Sequence, residues 1–292
     1  MIDLHTHSSA SDGTFTPSEL VKYAKSKKIE VMALTDHDTV AGLAEAQDTA
    51  REQGTVLVPG IELSIQWPTG EFHLLGLGLK KPSRELLDII QFLNEERLNR
   101  NRKMLEKLRE QGVDITWEEV TATAGTETIG RPHFAKLLME KGIVKQRQQA
   151  FDLYFAKGRP CYVERQGADL AEAVKAIKYS GGIPVQAHPL SIYVSWGKIE
   201  ETMTEIHAKG VEGLEAWHPG TRVSEGFRLE KVAEKLGMIA TAGSDFHGEK
   251  VRADRKIGHT AGKSKIEDRF WYEQLKPALE DAHGGEDLTF SL

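Results

Sequence analysis

Two histidines and an aspartate stand close together at the start of the chain, in the segment MIDLHTHSSASDG. His5 and His7 are two residues apart in a β-rich run, so both imidazoles project from one face of a strand and can bind one ion. Asp12 follows in a loop rich in serine and glycine, which can fold back over the same ion. These residue types at this spacing predict a metal site.

Further side chains of the same types lie within or just after predicted strands, in ALTDHD, GIEL, FHLLG, QAHP and GSDFH. They are His37, Glu62, His73, His188, Asp245 and His247. Because the carboxyl ends of parallel strands meet at one rim of a barrel-type fold, we expect all these side chains to converge. A lone histidine at a strand end is most often structural. Six of the eleven histidines occur there with three carboxylates, however, and this pattern favours a metal centre.

The size and composition of this set indicate the kind of metal. Nine imidazole and carboxylate ligands exceed what one ion can coordinate, so we expect two or three divalent ions. The mixture of nitrogen and oxygen donors suits Mn²⁺, Fe²⁺ or Zn²⁺ better than Ca²⁺ or a metal that prefers thiolates. Asp36 and Asp38 flank His37, and they either orient imidazoles of the site or cap the helix that follows.

The elements that must position these residues follow an alternating order. Short β-rich runs alternate with helical patterns over residues 1–80, and the alternation resumes over residues 166–292. The motif TPSEL predicts a capped helix start, and WPTG predicts the turn of a β-hairpin. Residues 81–165 show only helical periodicity. We therefore predict a barrel-like α/β body that carries an all-helical insertion.

Bulk composition narrows the class of protein. The chain has 292 residues and a net charge of −6, and no apolar run approaches the roughly 18 residues needed to cross a bilayer. Cys161 is the single cysteine and no secretory signal pattern is visible, so we expect a cytoplasmic protein with no membrane partner. The acidic balance argues against a nucleic-acid footprint over the whole surface. Residues 81–165 are mildly basic, with 16 Lys/Arg against 13 Asp/Glu, which suits a phosphorylated substrate.

The motifs HTHSSASDG, ALTDHDT, GIE, FHLLG, AHP and GSDFH, in that order, resemble the motif set of the polymerase and histidinol phosphatase (PHP) superfamily. The resemblance spans the α/β body and implies a distorted (β/α)7 barrel whose nine ligands hold a trinuclear metal centre. It implies one ion held by His5, His7, Glu62 and Asp245, a second held by the bridging Glu62 with His73 and His188, and a third held by Asp12, His37 and His247. Mn²⁺ is the expected metal, with Fe²⁺ or Zn²⁺ as alternatives.

The expected cluster of divalent ions indicates the type of reaction. They lower the pKa of a bound water and neutralise charge on an attacked phosphate, so we expect hydrolysis of a phosphate ester by a metal-bound hydroxide. Glu62 and Asp245 would be catalytic through the ions that they hold. His218, in EAWHPG, lies at another strand end, where we expect either a substrate contact that donates a proton or a structural role.

The helical insertion is expected to select the substrate. In TIGRPHFAKLLMEKG, Arg131 stands just before a helix with Pro132 in its first turn, where a guanidinium and the helix dipole both face an anion. Arg131 is therefore the leading phosphate ligand, and His133, Lys157 and Arg159 are further candidates for substrate binding.

The insertion also carries a narrower resemblance. The motifs ALTDHDTVAGL, IGRPHFA and FAKGRPCYV resemble the PHP branch of nucleoside 3′,5′-bisphosphate phosphatases, some of which also act as 5′ to 3′ exoribonucleases on short RNAs. This resemblance implies that Arg131 binds the 5′-phosphate of a nucleoside bisphosphate, or of a short RNA 5′ end, while the metals cleave the 3′-phosphoester.

Three other functions are weighed against this one. A histidinol-phosphate phosphatase would share the metal ligands, but the insertion with GRPHFA and the TDHD motif argue against it. A polymerase-associated exonuclease domain is disfavoured because no polymerase region accompanies the motifs. The alternative from another class is a metal-binding regulatory module without catalysis, against which nine intact ligands weigh. Metal analysis combined with a phosphatase assay separates such a module from an active phosphatase.

Overall fold

The structure is a computed structural model that describes residues 1–124, 129–249, 251, 254–285 and 290–291. The chain forms two compact units, which we call the barrel unit (Met1–Ile90 with Gly167–Leu292) and the helical unit (Gln91–Gln166). The first boundary between them lies ten residues after the predicted one, because the long helix that opens the predicted insertion begins within the barrel unit.

One seven-stranded sheet, with its strands adjacent in chain order, forms the centre of the barrel unit over the residues that the structure describes. Its strands are β1 (Ile2–Asp3), β2 (Val31–Leu34), β3 (Val56–Ile65), β4 (Phe72–Leu77), β5 (Ile183–Gln186), β6 (Gly213–Trp217) and β7 (Ile239–Ala242). Beyond the ends of β1 and β7, Thr6 forms a parallel bridge with Phe246, and the His7 N–H donates to the Phe246 carbonyl at 2.9 Å. The sheet is thus a nearly closed barrel, which confirms the predicted distorted (β/α)7 fold.

One strand runs against the others. Strand β4 is antiparallel to both β3 and β5, so β3 and β4 form the hairpin expected from WPTG, with Ser64 opposite His73. His73 is the second residue of β4 and therefore lies near its start. Because β4 is reversed, its start lies at the same rim as the carboxyl ends of the parallel strands. The rule that gathers ligands at strand ends is right for this site, but His73 reaches the rim from the opposite end of its strand.

The described residues contain ten α-helices. They are α1 (Pro17–Ser26), α2 (Leu43–Gln53), α3 (Arg84–Glu110), α4 (Trp117–Ala124), α5 (Arg131–Glu140), α6 (Arg147–Ala150), α7 (Leu170–Tyr179), α8 (Ile199–Ala208), α9 (Val223–Leu236) and α10 (Lys276–His283). Within the described part of the chain, no helix combines the length and the apolar character that a membrane crossing requires.

Helix α1 shows how local sequence fixes the loop that carries Asp12. The Thr16 hydroxyl accepts the backbone N–H of Glu19 at 3.2 Å, and the Glu19 carboxylate accepts the N–H of Thr16 at 2.9 Å. This reciprocal capping box, with Pro17 in the first turn, fixes the start of the helix as TPSEL predicts. Leu20, Val21 and Ala24 of α1 are buried, which fixes the position of the helix. The loop between β1 and α1 is therefore held at both of its ends.

The helical unit has its own apolar core and no strand among its described residues. Met104 and Leu108 of α3, Phe134 and Leu138 of α5, and Phe155 are all buried in it. Cys161 is buried in the same cluster, where it serves as a small apolar residue. The all-helical character expected for the insertion is therefore confirmed over the described residues.

Candidate metal centre

Glu62 lies at the centre of the predicted ligand set. Its side chain is completely buried in the middle of β3. One carboxylate oxygen, Oε1, lies 2.9 Å from His73 Nδ1 and 3.0 Å from His188 Nε2. The other, Oε2, lies 3.0 Å from His37 Nδ1, 3.2 Å from His7 Nε2 and 3.3 Å from His5 Nε2. Five imidazoles from four different parts of the chain therefore converge on one carboxylate.

Asp12 and Asp245 extend the cluster on the side of His7. Asp245 Oδ1 lies 3.5 Å from His7 Nε2 and 3.5 Å from His247 Nδ1. Asp12 Oδ1 lies 3.2 Å from His247 Nε2, and Asp12 Oδ2 lies 4.0 Å from His37 Nε2. The structure thus brings all nine sequence-predicted ligands into one cluster.

Three groups within this cluster have ligand atoms close enough to hold an ion. In each group the candidate atoms all lie within 4.8 Å of one another. The groups are His7, Asp12, His37 and His247; His5, His7 and Asp245; and His37, Glu62 and His73. His188 joins the cluster through its contact with Glu62. His7 and His37 each belong to two groups, so neighbouring positions for ions share ligands.

The donor set fits metal binding. His5 Nδ1 lies 3.0 Å from Glu215 Oε1, and a proton on Nδ1 leaves Nε2, 3.1 Å from His7 Nε2, to present a lone pair to a metal ion. His7 Nδ1 and Glu62 Oε2 are both buried, and neither makes a hydrogen bond with the described residues. Buried nitrogen and oxygen atoms without a hydrogen-bond partner need a cation to bind, and a divalent metal supplies one.

The electrostatics of the cluster support the same conclusion. Burial alone would lower the pKa of His5, but the carboxylates of Glu215 and Glu62 raise it well above its ordinary value. Burial likewise opposes ionisation of Glu62, yet His37 and the other imidazoles hold its pKa well below the usual range. Burial lowers the pKa of His37 to about 3, so this imidazole is neutral and able to coordinate. Ionised carboxylates among imidazoles form a site that attracts cations.

Asp36 and Asp38 anchor the loops of the site through hydrogen bonds. Asp36 accepts hydrogen bonds from the Ser8 N–H at 2.7 Å, the Ser8 hydroxyl at 2.6 Å and the Ser11 hydroxyl at 2.6 Å, and so fixes the loop before Asp12. Asp38 accepts the N–H of Ser64 at 3.0 Å and ties its own loop to β3. These hydrogen bonds anchor the two loops. Gly42 occupies the N-cap position of α2, so neither aspartate caps that helix, and a role in orienting imidazoles stays a prediction.

Sequence reasoning missed two charged residues at this site. Glu215, buried in β6, accepts from His5 Nδ1 through Oε1 and from the His188 N–H through Oε2 at 2.7 Å. A glutamate inside the apolar strand GLEAW was the available signal, because a buried carboxylate requires partners. Arg255 is also buried, beside His218, and its segment ADRKIG has the composition of a surface loop.

His218 lies directly beside a metal ligand. Its Nδ1 accepts the backbone N–H of Gly220 at 3.0 Å, and its Nε2 lies 3.3 Å from Asp245 Oδ2 and 2.9 Å from Arg255 Nη1. Burial lowers the pKa of His218, which favours its neutral form. The remaining histidines of the barrel unit, His207, His259 and His283, each contact a backbone carbonyl, as expected for ordinary structural residues.

The candidate substrate residues of the helical unit differ in their surroundings. Arg131 is the first residue of α5, not the residue before it, and its Nη2 donates to the Val163 carbonyl at 3.1 Å. His133 Nδ1 accepts the N–H of Gly130 at 3.0 Å, which caps the same helix. The side chains of Lys157 and Arg159 are exposed.

Comparison with known proteins identifies the family. A model of the PHP domain matches residues 3–164. A 3′,5′-nucleoside bisphosphate phosphatase from Chromobacterium violaceum is 34% identical over 282 residues, which cover 95% of this chain and 99% of that protein. A 5′-3′ exoribonuclease from Haemophilus influenzae is 33% identical over 245 residues, covering 84% of this chain and 89% of the relative.

A solved structure shows the same fold. A protein from Bifidobacterium adolescentis assigned as a metal-dependent phosphoesterase superposes with a TM-score of 0.81 at 30% identity, covering 98% of this chain and 96% of that one. The fold, the ligand cluster and the similarity over nearly the whole length agree, and the chain belongs to the PHP domain family.

Proposed function

We propose that the protein is a metal-dependent phosphoesterase that hydrolyses the 3′-phosphate of nucleoside 3′,5′-bisphosphates. The observation that carries this proposal is the convergence of nine imidazole and carboxylate side chains around Glu62. The nucleoside bisphosphate phosphatase from C. violaceum, which resembles this chain over almost its whole length, supports the choice of substrate.

The cluster would hold three divalent ions, Mn²⁺ in the first place and Fe²⁺ or Zn²⁺ as alternatives. The proposed sets are His5, His7, Glu62 and Asp245; Glu62, His73 and His188; and Asp12, His37 and His247. When bound, such ions lower the pKa of a coordinated water and neutralise charge on a phosphate. Glu62 and Asp245 are catalytic in this proposal because they position the ions against the phosphate.

The chain's own groups have defined tasks around that chemistry. His218 Nε2 lies 3.3 Å from Asp245 Oδ2, where an N–H can donate to the oxygen of the leaving group. Arg131 holds the phosphate that is not cleaved, with His133, Lys157 and Arg159 as further substrate ligands. Arg131 suits this task because it combines a permanent charge with the amino terminus of α5.

A second activity follows from the same binding mode. A short RNA with a 5′-phosphate presents the same 5′-phosphate as a nucleoside bisphosphate, and its first 3′-oxygen carries a phosphodiester in place of the phosphate monoester. The similarity to the H. influenzae 5′-3′ exoribonuclease supports this substrate class. Both substrates are nucleotides of the cytoplasm, which is the compartment that the single cysteine favours.

A hydrolysis panel tests the proposal. Purified Mn²⁺-loaded protein is tested on adenosine 3′,5′-bisphosphate, 3′-AMP, 5′-AMP, histidinol phosphate and a 5′-phosphorylated short RNA. We expect the bisphosphate to be the best small substrate, and Glu62→Gln to lose metal and turnover with little change in fold. Faster hydrolysis of histidinol phosphate would support that alternative, and metal binding without any turnover would support a regulatory module.

A further inference from the structure

Arg131 contacts two residues of the motif FAKGRPCYV, which lies further along the helical unit. The guanidinium lies over the ring of Tyr162, with Cζ 5.3 Å from the ring centroid, and Nη2 donates to the Val163 carbonyl at 3.1 Å. We propose that Tyr162 is a positioning residue, which holds the Arg131 guanidinium where it binds the 5′-phosphate. This inference rests on the proposed function, and it adds to that function a residue that acts through Arg131.

The backbone on both sides of Tyr162 is anchored within the helical unit. The Tyr162 N–H donates to the Arg159 carbonyl at 3.0 Å, and the Tyr162 carbonyl accepts a hydrogen bond from Lys107 Nζ of α3 at 3.2 Å. The preceding residue, Cys161, is buried in the apolar core, and its N–H donates to the Tyr154 carbonyl at 3.0 Å. A ring attached to such a backbone has few alternative positions, so it can hold a long side chain in place.

The Arg131 side chain starts from a backbone that is fixed as well. Arg131 is the first residue of α5, and Phe134, one turn further on, is completely buried in the core of the helical unit. An arginine side chain is long, and fixing it costs more rotamer entropy than fixing most other side chains. The Tyr162 ring and the Val163 carbonyl restrict it before a substrate is present, so less of that cost falls on binding.

These two contacts leave the charge of Arg131 available for a ligand. Arg131 makes no ion pair with any residue whose position the structure describes, and its buried Nε has no hydrogen-bond partner among them. An aromatic ring and a carbonyl attract a guanidinium without carrying a negative charge, unlike a carboxylate. A guanidinium has several N–H groups, and those that Val163 does not use can donate to the oxygens of a phosphate. The surroundings of Arg131 therefore orient it without neutralising it, as the binding of an anion requires.

Substitution of Tyr162 tests the proposal. Metal-loaded wild type, Tyr162→Leu and Tyr162→Phe are compared by calorimetric binding of 5′-AMP and by the ratio of the kcat/KM values for adenosine 3′,5′-bisphosphate and 3′-AMP. Tyr162→Leu keeps an apolar side chain without the ring, and we expect it to lower both the affinity and this ratio by about three- to thirtyfold. Tyr162→Phe keeps the ring and should stay within about twofold of the wild type. Tyr154→Leu is the matched control, because Tyr154 is a partly buried tyrosine of the same unit whose ring contacts Phe155.

A double-mutant cycle separates the positioning of Arg131 from a general effect on the fold. Tyr162→Leu is also measured in the Arg131→Ala background, where we expect it to change the affinity for 5′-AMP by less than about twofold, because the side chain that it positions is gone. Three outcomes would overturn the inference. They are an unchanged ratio in Tyr162→Leu, an equal loss in either Tyr162→Phe or Tyr154→Leu, and the same loss of affinity with and without Arg131.

Failure of the proposed function would be recognised separately, because binding of 5′-AMP needs no turnover. If Arg131→Ala binds 5′-AMP as tightly as the wild type, the role proposed for Arg131 is wrong and the inference is wrong with it. If Arg131→Ala loses affinity and Tyr162→Leu does not, only the inference fails. Should Tyr162→Leu not fold, the structure of the wild-type holoenzyme with 5′-AMP decides. We expect the 5′-phosphate about 3 Å from a guanidinium that still lies over the Tyr162 ring, and a guanidinium that leaves the ring to reach the phosphate refutes the proposal.

Discussion

Glu215 contacts two candidate metal ligands that are remote from each other in sequence. One of its oxygens fixes the tautomer of His5, and the other accepts the N–H of His188, whose φ of 26° is unusual for a residue other than glycine. Such a backbone conformation persists only where surrounding contacts hold it. The position of His188, and the ring orientation of His5, therefore depend on one buried carboxylate.

We predict that Glu215→Gln lowers metal affinity by about ten- to a hundredfold, the range found when hydrogen-bond partners of metal ligands are lost. The amide keeps the shape of the side chain, but it replaces one acceptor oxygen with a donor and removes the charge. Metal content after dialysis against a weak chelator measures the effect. Glu212→Gln, at an exposed ion pair with Lys178, is the control, and an equal effect of both substitutions would contradict the prediction.

At this scale the sequence predicted which side chains converge, but not the residues that contact them. His5, His7 and Asp245 carry a recognisable spacing because metal chemistry allows few residue types. Glu215 and Arg255 depend on partners that are distant in the chain, and any strand or loop can carry one such residue. The local sequence pattern therefore indicates the candidate ligands. The residues that contact those ligands can be identified only from the three-dimensional structure.

Among the secondary-structure elements, β7 ends in close contact with the site. Gly243 follows β7 directly, and a Cβ at this position would lie 2.2 Å from His5 Cβ and 2.7 Å from Glu215 Oε1. Real Cβ atoms do not approach other atoms so closely, so any side chain here would displace His5 or the strand. The absence of a side chain at Gly243 lets the backbone after β7 pack directly against His5.

We predict that Gly243→Ala lowers the free energy of unfolding by about 1 to 3 kcal/mol and also reduces bound metal, because overpacking moves His5. Thermal unfolding and metal analysis of the same preparation measure both effects. The matched control is Gly197→Ala, since a Cβ at Gly197 meets nothing within 4 Å. The prediction is wrong if Gly243→Ala retains wild-type stability and full metal content.

The order of elements and the β3–β4 hairpin could be predicted from sequence. The rule that gathers ligands at the carboxyl ends of parallel strands did not apply to His73, which lies near the start of its strand. A two-residue side-chain period is the same in parallel and antiparallel strands. The turn residues of WPTG gave the hairpin, and the rim position of His73 follows from that reversal. The first boundary between the two units lies ten residues after the predicted one. Helix α3 crosses this boundary, and its apolar pattern continues there without a break, so the sequence does not mark the position.

For the molecule as a whole, the proposed function predicts a preference for a substrate with two phosphates. Adenosine 3′,5′-bisphosphate should be hydrolysed faster than 3′-AMP by a factor on the order of ten to a hundred, since binding of the second phosphate positions the first. Arg131→Ala should remove most of that preference and leave metal content and slow 3′-AMP hydrolysis intact. The ratio of the kcat/KM values for the two substrates measures this preference. Arg147→Ala, at an exposed position of α6, is the control, and an undiminished preference in Arg131→Ala would contradict the prediction.

Metal removal should destabilise the protein. Its candidate ligands extend from His5 to His247, so the unfolded chain cannot reproduce the site and the metal binds the native state. Mn²⁺ at a hundred times its Kd would add about 2.7 kcal/mol. We predict a lower Tm after chelation and recovery on adding Mn²⁺, with a much smaller response in Glu62→Gln. Equal Tm values for wild type with and without metal would contradict this.

The bridge between Thr6 and Phe246 has a consequence for protein synthesis. The ribosome makes His5 and His7 long before Asp245, His247 and the strand that closes the barrel. A growing chain that ends before them has neither a closed sheet nor the complete set of candidate ligands. The site therefore stays incomplete until β7 and the residues just after it have been made.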